Sequence, residues 1–284
     1  MPNEEMRASW TEGAAGWIEN ERIFDAVLAP VTAAILAAAP ARPGVRALDV
    51  GCGSGTLLEA LSGAGIEVVG ADISAQMTAA ARRRAPAAVI TADAQTADLL
   101  ALAPGARFEL VVSRFGVMFF DDPVAAFANI HRATAPRSRL VFACWRSREE
   151  NPMFTLGVDV LAAGLDPPPL AGPPGSPGPM AFADGERLRG LLERSGWDQV
   201  SITPFDFTCD FGFDGDDGVE QRLSVLLGTF IGRRAKRELP PVLGEQGWQR
   251  RLDEVRERLR ANRVEGAVRF PGATWMVTAE HPAG

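Results

Sequence analysis

The chain has 284 residues, 46% of them hydrophobic and 23% charged, with a formal net charge of −7 at pH 7. That length accommodates one large domain or a domain with a sizeable insertion, and the composition is that of an ordinary soluble globular protein. The negative balance argues against a chain that grips nucleic acid through phosphate contacts.

At the N-terminus, Met1 to Arg7 has no basic stretch followed by an apolar core, so no signal peptide is expected. Residues 8–18 read as a short helix carrying Trp10 and Trp17. Ile23, Phe24, Val27, Leu28, Val31, Ile35 and Leu36 follow at helical spacing, up to Pro40 and Pro43-Gly44. Val27 to Ala39 is apolar but contains Pro30 and is shorter than the ~20 residues that span a bilayer. It is expected to be a buried helix, which makes residues 1–44 an N-terminal helical cap.

From residue 45 strands and helices alternate. Strands are expected at Val45–Val50, Glu67–Ala71, Ala88–Thr91, Phe108–Ser113 and Leu140–Trp145. Helices are expected at Ser54–Leu61, Ser74–Arg84 with Ser74 as N-cap, and Pro123–Thr134. Short apolar strands separated by helices imply a doubly wound α/β core over 45–146, a parallel sheet with helices on both faces. Asp166-Pro-Pro-Pro, Pro173-Pro174-Gly175 and Pro177-Gly178-Pro179 break this rhythm, and residues 147–183 are expected to be a Pro/Gly-rich lid. In the remaining stretch, 184–284, a helix from Asp184 to Ser195 precedes a sixth strand at Val200–Phe207. A helical insertion over 219–262 and a final strand at Ala273–Thr278 complete the chain.

The informative segment is Ala47-Leu-Asp-Val-Gly-Cys-Gly-Ser-Gly-Thr-Leu-Leu58. A strand ends, Gly51, Gly53 and Gly55 turn, and a helix starts; glycines permit a tight turn and let a ligand approach the backbone. The spacing differs from the dinucleotide G-x-G-x-x-G, which weighs against an NAD-dependent oxidoreductase. Asp49, two residues before the first glycine, would sit badly beside a pyrophosphate and suits a cationic ligand, such as an ammonium beside a sulfonium. Asp72, 21 positions after Gly51, can accept hydrogen bonds from both ribose hydroxyls, a feature shared with NAD enzymes.

Asp49-Val-Gly-Cys-Gly-Ser-Gly-Thr56 resembles the first motif of the class I S-adenosylmethionine-dependent methyltransferases. Val69-Gly-Ala-Asp-Ile-Ser74 resembles their second-strand motif, Ala92-Asp93-Ala94-Gln95 their adenine-holding segment, and Phe108 to Phe120 their fourth-strand motif. The nearest subgroup in pattern includes ubiquinone and menaquinone biosynthesis methyltransferases and many bacterial small-molecule enzymes. The resemblance implies a Rossmann-like seven-stranded sheet whose last strand is antiparallel and inserted between strands five and six. It implies S-adenosyl-L-methionine as cofactor, with S-adenosyl-L-homocysteine as product. Gly51, Cys52, Gly53, Gly55 and Thr56 would then surround the methionine portion, with Asp49 near its amino group and Asp72 on the ribose. Ile73 and Met77 would flank the adenine; Asp93, Ala94 and Gln95 would read its edge; Ser113, Arg114 and Phe115 would line the methyl-donor end. The turn Pro136-Arg-Ser-Arg139 departs from the family's usual Pro-Gly-Gly.

Trp10 and Trp17 either close over the cofactor and offer a ring face to the sulfonium or anchor the first helix in the core. Phe115, Met118, Phe119, Trp145, Met153 and Phe154 are the candidates for an acceptor pocket. No catalytic base stands out; His131, on the helix after the fourth strand, is a weak candidate, and a surface or helix-face histidine is the plainer reading. Cys52, Cys144 and Cys209 show neither a disulfide framework nor a zinc pattern, so no metal is expected and a reduced cytoplasm is the simplest home. The expectation is methyl transfer to the O, N or C of a small molecule by a monomer or homodimer that neither spans a membrane nor binds nucleic acid. The alternative from another class is a protein that binds S-adenosylmethionine without methylating.

Overall fold

The computed structural model describes residues 3–169 and 172–283. Leu170 and Ala171, inside the expected lid, lie outside the described residues, as do Met1, Pro2 and Gly284. The sheet is formed by β1 (Arg46–Val50), β2 (Glu67–Asp72), β3 (Ala88–Thr91), β4 (Phe108–Arg114), β5 (Thr134–Trp145), β6 (Asp198–Asp210) and β8 (Ala267–Glu280). A two-residue strand, β7 (Arg263–Val264), pairs with β8 across a Glu265-Gly266 turn in which both residues have positive φ. The order across the sheet is β3-β2-β1-β4-β5-β8-β6, with β8 antiparallel to both of its neighbours. This is the doubly wound sheet with an inserted antiparallel last strand that the resemblance implies.

The inner strands are buried along their length because helices cover both faces. Every residue of β1 is buried, and Leu110, Val111, Val112, Val141 and Phe142 are fully buried. The helices begin where side-chain oxygens satisfy the first free N–H groups. Ser74 caps α5 (Ala75–Arg84), Asp122 caps α7 (Pro123–Ala133) and Asp184 caps α9 (Gly185–Arg194). The chain order reverses between β1 and β4, so their carboxyl ends open a crevice between them, the place where such sheets bind ligands.

Two strands run further than their sequence suggests. β6 covers 13 residues, beyond both ends of the expected Val200–Phe207, and β8 covers 14, where the expected strand Ala273–Thr278 begins only after Pro271-Gly272. Pro204 is tolerated because β6 is the sheet's edge, paired only with β8. Pro271 pairs with Thr208 beyond the last β5 partner, Thr274, so β8 has a neighbour on only one side there. A Cβ on Gly272 would lie 2.5 Å from the Phe207 ring, which needs that space.

The N-terminal segment folds as α1 (Glu4–Glu19), α2 (Glu21–Val27) and α3 (Ala29–Ala38), with Pro30 in the first turn of α3. A short α8 (Val158–Ala162) lies between β5 and α9. The C-terminal helices are α10 (Val219–Gly228), α11 (Phe230–Glu238) and α12 (Pro240–Ala261), the last bent at Gly244. α1 crosses α10 with backbones touching: a Cβ on Gly16 would fall 2.1 Å from the Gly228 carbonyl oxygen. Asn20 Nδ2 donates to the Gly16 carbonyl, and Ser224 Oγ donates to Asn20 Oδ1 at 2.6 Å. The segment before α9 is fixed to the rest: Gly178 N–H donates to the Met118 carbonyl at 2.9 Å, and Phe182 is buried beside Phe127. Among the described residues no helix is long and apolar enough to cross a membrane.

Candidate functional site

A cavity of about 310 Å3 opens where the crevice between β1 and β4 meets α1 and α10. One end is built by the glycine turn. Gly51, Gly53 and Gly55 all have positive φ, between 54° and 96°, which L side chains adopt only under strain. A Cβ on Gly51 would lie 2.5 Å from Gly116 Cα, so glycine lets the ends of β1 and β4 touch. A Cβ on Gly53 would meet nothing within 4 Å, leaving its backbone open to the cavity. Gly55 is not on the wall; a Cβ there would lie 3.1 Å from Ala81 Cα, so glycine sets the packing of α4 (Thr56–Gly63) on α5.

Asp49 is 1% exposed, and neither carboxylate oxygen has a hydrogen-bond partner. Burial raises its pKa to about 8, against the pull of the Arg114 guanidinium, while Asp72 pushes it further up. A buried carboxyl without donors is a costly feature that a cationic ligand would relieve. Asp72 accepts from Gly53 N–H at 2.9 Å and Ser74 N–H at 2.8 Å. Burial raises its pKa and these two donors lower it. Each of its oxygens is thus fixed in direction by one backbone donor and keeps a further lone pair.

Cys52, Thr56, Ile73, Met77, Ala94, Arg114 and Phe115 also stand on the wall. Burial raises the Cys52 thiol well above its ordinary pKa, so it is neutral. Arg114 donates to Thr32 Oγ1 and Thr56 Oγ1 and pairs with Asp25, which joins α2 and α3 to this end. Asp93 is on the wall, but its carboxylate is already engaged: Oδ1 accepts from Asn3 Nδ2 and Gln95 N–H, both at 2.9 Å, and Oδ2 from Thr96 Oγ1. Gln95 is off the wall, where its Oε1 accepts from Asn3 and from Asp122 N–H. Ser113 is also off the wall; its Oγ is fully buried and accepts from Gly116 N–H at 3.1 Å.

The other end is aromatic. Phe115, held at φ 67°, stacks on Trp145 with ring centroids 4.5 Å apart. Phe154 meets Trp145 edge-on at 5.3 Å. Trp10 packs edge-on against Phe119 and Phe230, and Trp17 stacks on Phe24 at 3.9 Å. Met118, Phe119, Met153 and Phe154 complete this part of the wall, as the sequence suggests. Both tryptophans are at the cavity and packed into their neighbours at once.

His131 is elsewhere. It stacks on His281 at 3.7 Å and meets Trp197 edge-on, away from the cavity wall. Burial and the neighbouring His281 hold its pKa below the ordinary histidine value. It has no access to an acceptor in this cavity, which removes it as a candidate base.

Sequence reasoning missed Asn3, Met6, Val225, Phe230 and, above all, Arg222, all on the wall. Asn3 ties the start of α1 to the loop after β3 and to Asp121. Arg222 had a visible signal: it lies in the apolar stripe of α10 between Val219 and Leu226, where a core residue is expected.

Residues 48–142 match the family described as a methyltransferase domain. An uncharacterized protein of Mycobacterium tuberculosis is 33% identical over 141 residues, 49% of this chain and 49% of that relative. The chain thus spans about half the length of the first curated relatives it matches. A demethylmenaquinone methyltransferase of Renibacterium salmoninarum is 30% identical over 177 residues, 59% of this chain and 72% of the relative. The fold of a candidate methyltransferase from Bacillus halodurans superposes with a TM-score of 0.54 at 16% identity, over 88% of this chain and 98% of that one. The chain belongs to the family of S-adenosylmethionine-dependent methyltransferases. The cofactor of that family is S-adenosylmethionine, and the unpartnered Asp49 carboxyl and the open backbone at Gly53 fit its ammonium end.

Proposed function

We propose that the protein methylates a small, largely apolar acceptor held between the glycine turn and the aromatic end of the cavity. The observation that carries this reading is Asp49, a buried carboxyl with no donor at the head of a cavity whose far end is aromatic. When bound, S-adenosylmethionine would supply an electrophilic methyl carbon on its sulfonium.

The chain's own residues bind, orient and exclude water. Asp49 would take the ammonium, and Asp72 would accept from the ribose hydroxyls with the oxygens that Gly53 and Ser74 have already aimed. Ile73 and Met77, which stand on the wall, would flank the adenine, and the Ala94 backbone would meet its edge. Asp93 contributes by holding Asn3, and with it α1, across that end. Phe115, Trp145 and Phe154 form the wall that turns the acceptor towards the methyl group. Alignment and dehydration in such a cavity supply much of the acceleration of an in-line displacement. Among the described residues no histidine stands on the wall, which suits an acceptor that needs no strong base.

Calorimetric titration with S-adenosylmethionine, S-adenosylhomocysteine and NADH tests this reading. The first two are expected to bind, with a loss of roughly 100-fold in Asp72→Ala, the worth of two hydrogen bonds to a charged group. Binding of NADH instead, or unchanged affinity in Asp72→Ala, would sink it.

A further inference from the structure

Methyl transfer as described makes no use of Arg222. This residue is 0% exposed and forms part of the cavity wall. Its Nη2 donates to the carbonyl oxygens of Met153 at 2.8 Å and Leu156 at 3.1 Å, and its Nη1 lies 3.4 Å from Met153 Sδ. The rings of Phe211 and Phe270 flank it, with centroids 5.5 Å and 5.4 Å from Cζ. Every one of these partners is neutral. The Nε hydrogen is buried and has no acceptor.

Among the described residues the titratable group that acts on Arg222 is Cys209, whose thiol burial pushes up to about 12 and so keeps uncharged. Burial lowers the Arg222 pKa to about 10, which still leaves the guanidinium charged at neutral pH. A buried cation with no counter-charge destabilises a fold, and an apolar side chain would pack in this stripe at lower cost. Holding the 152–157 turn could be done by neutral donors. A charge is needed only if the opposite charge arrives from outside.

Contacts connect Arg222 to the methyl-transfer end. Gly51 touches Gly116, next to Phe115; Phe115 stacks on Trp145, Trp145 meets Phe154, and Arg222 holds the neighbouring Met153. We propose that Arg222 is the receptor for a carboxylate on the acceptor, whose apolar body lies against Trp145, Phe154 and Val225. The buried Nε hydrogen is the donor left unpaired for it, and guanidinium suits carboxylate geometry. A carboxylate held this way is a poorer nucleophile, so it anchors the acceptor and the methyl group goes to another atom. The proposal rests on the methyl-transfer reading, since it assigns the acceptor of that same site.

The test is a paired titration at neutral pH. Protein is first titrated to saturation with S-adenosylhomocysteine, then with 3-phenylpropanoate or its neutral amide, followed by calorimetry. The acid is expected to bind at least about tenfold more tightly than the amide, the difference a charged hydrogen-bonded pair makes. Arg222→Met is expected to erase that preference and Arg222→Lys to keep part of it, with affinity for S-adenosylhomocysteine unchanged in both. Equal binding of acid and amide, binding of neither, or a preference that survives in Arg222→Met overturns the proposal. If Arg222→Met does not fold, the wild-type comparison of acid with amide decides alone. Failure at the first titration overturns the methyl-transfer reading, and this proposal with it; success there followed by no preference overturns only the role of Arg222.

Discussion

At the β1–β4 end of the cavity, the wall comes from short runs of consecutive residues: Asp49 to Ser54, Thr56 and Leu57, Ala71 to Ile73, Ala92 to Ala94 and Arg114 to Gly116. At the Arg222 end it is gathered from α1, from Met153 and Phe154, from Pro179, and from α10 and α11. In the first region a strand end and its own turn determine what faces the ligand. In the second, no segment makes a wall until distant helices have packed. The cofactor end is therefore a property of local backbone geometry, and the acceptor end a property of tertiary assembly.

The two ends should break differently. Gly51→Ala carries the largest effect, because it places a methyl group against Gly116 backbone at a positive-φ position. A loss of about 3 kcal/mol is expected in urea unfolding, together with loss of S-adenosylhomocysteine binding. Wild-type stability in that variant would mean that the contact between the ends of β1 and β4 is not what fixes the turn. Gly16→Ala is the counterpart at the other end, where the added methyl meets the Gly228 carbonyl. It should cost about 2 kcal/mol and act locally, unlatching α1 from α10. Hydrogen exchange would then speed up in α1 while β1 and β4 keep their protection; global destabilisation would show that the two ends are not independent.

The most graded effect concerns Asp49 and pH. Its pKa in the free protein is raised to about 8, so below that pH it carries a proton that an ammonium ligand must displace. Cofactor affinity should rise with pH, by up to about tenfold per unit between pH 6 and 8, with proton release on binding. In the free protein the sign is reversed: the unfolded chain loses this proton near pH 4 and the folded one near 8, so Asp49 withdraws stability as pH rises through that interval. Asp49→Asn should flatten both dependences while weakening binding. A wild-type affinity that does not change between pH 6 and 8 would show that Asp49 is ionised before the ligand arrives.

The same contrast explains what could be read from the amino-acid sequence. Asp49, Gly51, Gly53 and Asp72 were legible because strand, turn and charge are coded within a few residues. Asn3 was not, since its partners Asp93, Gln95 and Asp121 are brought to it only by folding. Asp93 was legible as a site residue, but not that its oxygens serve the chain's own Asn3 and Gln95. The start of β8 was cut short because Pro271-Gly272 reads as a break, and whether a proline breaks a strand depends on how many neighbours that strand has at that level. His131 drew attention as a titratable group, while its burial against His281 and Trp197 is visible only in three dimensions.

The overrun of β6 and β8 past the end of β5 has one further consequence. Asp210 and Arg269 face each other in register and are joined by an ion pair of 3.0 Å. The chain between them, α10 to α12 and the β7–β8 hairpin as far as Val268, therefore leaves the β6–β8 ladder and returns to it at the same rung. A cassette that departs and re-enters at one rung can be exchanged without re-registering any strand of the core. Substituting a homologous stretch for residues 211–268 is thus the simplest graft by which this scaffold could be given a different acceptor while its cofactor end is left untouched.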